Sequence, residues 1–153
     1  PAELVFGAAR LTDRFVIPDM DSSTLANQAM FMGQHLLNPP GVEGWHEGEE
    51  WVDSGSLIER INFAASEVGR VDSAGIQRMI QLVENAGDDV RPESFVEACL
   101  DAMGSIDLGS GSKAVLVDHA AQNGPGTPGA LDGAERIVEM FQLIVSTPDY
   151  QYC

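Results

Sequence analysis

Five side chains able to hold a divalent cation fall within eight residues: His46, Glu47, Glu49, Glu50 and Asp53. Clustered carboxylate oxygens suit a hard ion such as calcium or magnesium, with Glu47, Glu50 and Asp53 as the candidate ligands. The spacing is not that of an EF-hand, because D-x-[DN]-x-[DN]-G is absent. Zinc would need more imidazoles; His35, His46 and His119 are scattered, and no H-E-x-x-H occurs. The plainer reading of the same acids is a solvated loop in an acidic chain, with no cofactor and a divalent cation as the alternative. Trp45 and Trp51 flank this cluster. Exposed beside His46, Glu47, Glu49 and Glu50, they would make a stacking platform for carbohydrate or peptide; buried, they would be packing.

Catalytic patterns are weaker. Glu47 and Glu50 have the chemistry to divide acid and base roles, a hydrolase-like alternative, but sequence gives neither their separation nor their pKa values. Ser110 sits in G-S-G-S rather than G-x-S-x-G, so no nucleophile elbow surrounds it. The glycine-rich pieces lack the G-K-[ST] ending of a phosphate loop. Asp118 and His119 are adjacent, and adjacent residues on a helix do not face each other. Catalysis by this chain alone is not expected.

The loop carrying the acids, residues 38–53, also reads as a structural plug. Pro39-Pro40 stiffens its entry, and Gly41 and Gly44 permit tight reversal. Gln34 before it, and Arg60 and Asn62 after it, can donate to loop carbonyls, since buried loop backbone needs partners.

The elements that must position this loop are helical. Leu4, Val5, Ala8 and Leu11 share helical spacing, and a second helix is expected over about 23–37, stopped by Asn38-Pro39-Pro40-Gly41. From Ser54 or Ser56 the period resumes through Leu57, Ile61, Ala65 and Val68, with Gly69 as C-cap. Asp72 or Ser73 caps a helix bearing Ile76, Met79, Ile80 and Val83, and Pro92 opens one with Phe95, Val96, Cys99, Leu100 and Met103 inward. Residues 104–112 and 121–130 read as flexible loops. KAVLVDHAAQ between them is ambiguous, its alanines favouring a helical turn or two over a strand. A final helix over about 130–146 has a C-terminal part that is apolar nearly all round, so it belongs at the centre of the core. The expected architecture is one all-α, multi-helix domain over 1–153, with a long irregular Pro/Gly/Trp loop between the second and third helices.

Composition narrows the function classes. The chain carries 24 acidic against 8 basic residues, a formal charge of −16, and Lys113 is its one lysine. Such a surface repels phosphate backbones and anionic lipid, which argues against nucleic-acid and membrane-surface roles. It suits a saline, halophilic or marine setting. No run of 18 apolar residues spans a membrane, and no basic segment leads into an apolar export signal. The start at Pro1 suggests a processed or excised piece. Cys99 and Cys153 lack C-x-x-C spacing; Cys99 sits at a buried helical position, and a pairing with Cys153 is left open.

GQHLLNPPGVEGW followed by EEWVDSGSLIERINFA resembles the signature G-Q-x-L-x-x-P-P-N-V-x-G-W … W-[IV]-[DN]-[ST]-x-x-L-[IL]-x-R-x-N-F-A of the bacterial family called domain of unknown function 1800. PAELVFGAARL is similar to the segment just upstream in that family, and STPDYQ to its C-terminal S-x-P-E-[FY]-Q. Residues 70–129 match weakly. The resemblance implies the C-terminal part of a longer bacterial protein, exported to the periplasm, cell surface or medium, of unestablished activity. It implies that the partner is the rest of the parent chain or another protein. Two departures stand out: Glu43 replaces a residue often basic in the family, and His46-Glu47-Gly48 replaces P-G-G. A site built on those acids would be particular to this chain.

Overall fold

A computed structural model describes residues 1–13, 22–45, 54–86, 91–104, 106–124 and 133–152. Among these residues all regular structure is helical, in eight segments. They are α1 (Ala2–Leu11), α2 (Ser22–Phe31), α3 (Ser54–Val68), α4 (Ala74–Asn85), α5 (Pro92–Ala102), α6 (Ser110–Gln122), α7 (Gly133–Val145) and α8 (Pro148–Gln151). The all-α multi-helix architecture expected from the apolar periodicity is the one observed.

Local chemistry sets many of the boundaries. Ser73 accepts from the Ile76 N–H at 3.3 Å and caps α4. Pro92 occupies the first turn of α5, where its missing N–H has no intrahelical partner to lose. Two expectations need correction. The second helix stops at Phe31 rather than near residue 37, because Gly33 takes φ +90° and closes a Schellman motif. In it, the Gly33 N–H donates to the Met30 carbonyl at 2.9 Å and the Gln34 N–H to the Ala29 carbonyl at 2.8 Å. The 104–112 loop is shorter than expected, because α6 begins at Ser110 and KAVLVDHAAQ lies within a full helix. Docking of Ser112 against Asp149 supplies the support that local propensity lacks.

Two groups of buried side chains form the interior. The larger joins Ala64 and Val68 of α3 to the inner faces of α4, α5, α6 and α7, with Phe141, Ile144 and Val145 of α7 fully enclosed. The smaller joins Val5, Ala8 and Ala9 of α1 to Leu25 and Ala29 of α2, Met32 and Phe63 of α3. Successive residues Phe63 and Ala64 thus serve different groups, and α3 is the beam between them. Behind it, Thr12 donates toward the buried Glu67 carboxylate at 3.3 Å, tying the end of α1 to α3.

Gly75 shows how closely α1 and α4 approach. A Cβ there would lie 2.3 Å from the Leu11 carbonyl oxygen and 2.7 Å from Thr12 Cα. Gly75→Ala should therefore cost about 1–3 kcal/mol through overpacking. Gly7→Ala, where a Cβ meets nothing within 4 Å, should gain about 0.5–1 kcal/mol from helix propensity. Urea midpoints of the two variants check the opposite signs.

Cys99 is a buried free thiol, and burial pushes its pKa up to about 12, with Arg136 pulling the other way. An acid whose pKa is raised by folding supports the fold below its unfolded value, near 9, and loses that support as pH climbs toward 12. Stability should fall between pH 9 and 11, and Cys99→Ala should flatten that slope in urea melts.

Candidate functional site

The stretch from Met30 to Trp45 holds three positive-φ residues, Gly33, Leu37 and Gly44. Beyond the Gly33 turn, the His35 and Asn38 side chains meet at 3.2 Å, and the Asn38 N–H returns to the His35 carbonyl at 3.0 Å. Leu37 sits between them at φ +65°, a left-handed conformation unfavourable for a branched side chain, and is 96% exposed. Pro39 and Pro40 then run exposed into a tight turn, where Gly41 and Gly44 form an isolated antiparallel bridge. Gly44 takes φ +100°, and Val42 at the tip is fully exposed. Phe31, closing α2, is 61% exposed.

Trp45 is half-buried, and its indole Nε1 is enclosed with no hydrogen-bond partner among the described residues. An enclosed donor left unpaired costs about 1–3 kcal/mol. His46, Glu47, Glu49, Glu50, Trp51 and Asp53 lie outside the described residues, so the acidic cluster has no geometry to report. Among the described residues no three His, Cys, Asp or Glu side chains converge on a metal-sized site. His119 faces Glu139, Nε2 to Oε2 at 3.3 Å, while Asp118 accepts from Gln122 at 2.7 Å.

The flanking polar residues do specific work. Gln34 uses its side-chain oxygen to accept from the Ala2 N–H at 2.7 Å, fastening the loop's entry to the first turn of α1. Asn62 points to solvent. Arg60 is buried in α3 and reaches α8, its Nε donating to Gln151 Oε1 at 3.3 Å and its Nη2 to the Gln151 carbonyl. Gln151 is itself buried and donates through Nε2 to the Val145 carbonyl at 2.6 Å. Burial pulls the Arg60 guanidinium below its ordinary range, with Tyr150 opposing. Thr147 caps α8, accepting from the Tyr150 N–H at 3.4 Å. Asp149 accepts from Ser112, and this bond holds its carboxyl below the usual range.

The arginine of the L-[IL]-x-R-x-N-F-A segment and the glutamine of S-x-P-E-[FY]-Q are therefore one buried contact, 91 residues apart in the chain. The chain belongs to the family DUF1800, protein of unknown function, whose model matches residues 1–152. No curated protein and no solved structure matches it. In this DUF1800 chain Arg60 is legible in the motif, and its partner is not. Gln151 stood in plain view as the one amide of a short C-terminal motif, and only its burial reveals its role.

Truncating one side leaves a buried donor or acceptor set unmatched. Gln151→Ala should cost about 1.5–3 kcal/mol, the range for hydrogen bonds to a charged group. Arg60→Met with Gln151→Leu should cost less than the sum of the single changes, measured by a double-mutant cycle in urea.

Proposed function

We propose that this chain is a structural and interaction module that completes a larger exported bacterial protein, presenting segment 30–45 to a neighbouring part of that protein. The carrying observation is the set of exposed apolar side chains Phe31, Leu37 and Val42 within one short segment. Isolated exposed apolar residues are ordinary, but here one is held in strained backbone and another at a glycine-flanked turn tip. Rigid presentation of apolar side chains lowers the ordering cost of association. Pro39 and Pro40, both exposed, stiffen the same segment. The family resemblance supplies the longer parent and its export; the residues supply the contact surface.

The experiment compares carbene footprinting of this chain alone with the intact parent protein. Segment 30–45 should be protected in the parent, and Leu37→Asp with Val42→Asp should weaken association with the separately expressed remainder about tenfold or more, leaving the melting point unchanged. Equal labelling in both settings would remove this reading. A melting shift specific to calcium or magnesium, lost in Glu47→Gln with Glu50→Gln, would instead favour the acidic loop.

A further inference from the structure

A cleft of about 520 Å³ opens between the C-terminal end of α1, the exposed side of α4 and the end of α5. Its charge runs against that of the molecule. The chain has three times as many acids as bases (24 against 8), yet the cleft lining holds two arginines, Arg10 and Arg78, and no carboxylate among the described residues. Gln81 and Asn85 add amides, while Met79 and Leu82 form an apolar wall. Leu82 is 59% exposed, so much of its side chain is open to a ligand.

The neighbouring backbone holds one arginine in place. Asp13 follows Thr12 at φ +57° and its carboxylate pairs with the Arg78 guanidinium. A guanidinium has five N–H donors in a fixed fork, so one carboxylate occupies a single edge and leaves others for a ligand. Arg10 lies on the last turn of α1. Its side chain is exposed, so its charge is available at the mouth of the cleft. Two guanidinium groups beside an apolar wall select a carboxylate with a hydrophobic body, since planar carboxylates match the fork and the body covers Leu82. The volume lies within the range of small-molecule sites.

We propose that the cleft between α1, α4 and α5 binds a small aliphatic carboxylate, with Arg10 and Arg78 holding the carboxylate and Leu82 and Met79 the tail. The neighbouring negative surface makes such a site selective, because only a ligand that covers apolar area offsets the long-range repulsion. None of these residues belongs to segment 30–45, so the two readings stand or fall separately.

The test titrates octanoate into the full chain at fixed ionic strength, following amide chemical shifts and the melting point, with octan-1-ol and inorganic phosphate as comparisons. Octanoate should bind saturably and raise the melting point, with shifts centred on Leu82 and Arg10, and should bind more tightly than either comparison. Arg10→Gln and Arg78→Gln should each weaken it about tenfold, the scale of one charge-assisted hydrogen bond. Leu82→Ser, which removes apolar area without placing a charge beside Arg78, should weaken it about tenfold or more. Absence of saturable octanoate binding overturns the proposal. So does phosphate binding as tightly, or an octanoate affinity indifferent to Arg10→Gln and Leu82→Ser.

Discussion

A charged side chain in an interior must be matched, and in this protein that requirement joins the two ends of the fold. Arg60 lies on the helix that divides the two groups of buried residues, and its guanidinium is met by both the side chain and the backbone of Gln151. Gln151 in turn donates to the end of α7, the most enclosed helix. The short C-terminal helix is thus clamped to α3 and α7 at once. The contact is geometrically demanding because Arg and Gln offer planar groups with fixed donor and acceptor directions. An apolar pair of similar volume would fill the space without fixing the register.

The same helix explains how the rest is arranged. Phe63 packs toward α1 and α2, Ala64 and Val68 toward α4 and α7, and Glu67 receives Thr12 from the far end of α1. Where α1 meets α4 the contact is close enough that only glycine fits at position 75. That approach also shapes the cleft beside it, since Gly75 and Leu11 both line its wall. Around α6 the linkage is polar as well: Asp149 of α8 accepts from Ser112 in its first turn, and Arg136 of α7 donates to the Ala120 carbonyl at 3.5 Å while lying 4.0 Å from the centre of the Phe95 ring of α5. Apolar burial supplies the bulk of the interior, and a few polar contacts decide which helix faces which.

Against this anchored interior, segment 30–45 stands out for what it leaves uncovered. Its turns are tightly specified by Gly33 and Gly44, and while Met32 is buried, Phe31, Leu37 and Val42 face solvent. Rigid backbone with exposed apolar side chains is the physical profile of a contact surface. It is also the segment through which the family was legible, since it carries the prolines, the glycines and Trp45.

The helices could be read from the sequence because their causes are local. Apolar residues at helical spacing, Ser73 as a cap, Pro92 in a first turn and Pro148 after Thr147 each act within a few residues. The early stop of α2 is also local, in Gly33, although the apolar run continues through Leu36 and Leu37. Residues 109–112 show the opposite: Gly and Ser favour coil in isolation, and a carboxylate from α8 accepts from Ser112 at the start of a helix. The partners of Arg60, Gln34 and Arg78 lie 32 to 91 residues away and follow from no spacing rule. Sequence by itself determined the fold class, most helix boundaries and the family, because propensity, capping and motif are written in neighbouring residues. Tertiary structure alone decided which polar groups meet, which apolar side chains stay exposed and where two arginines share a cleft, because those depend on how helices pack across the chain.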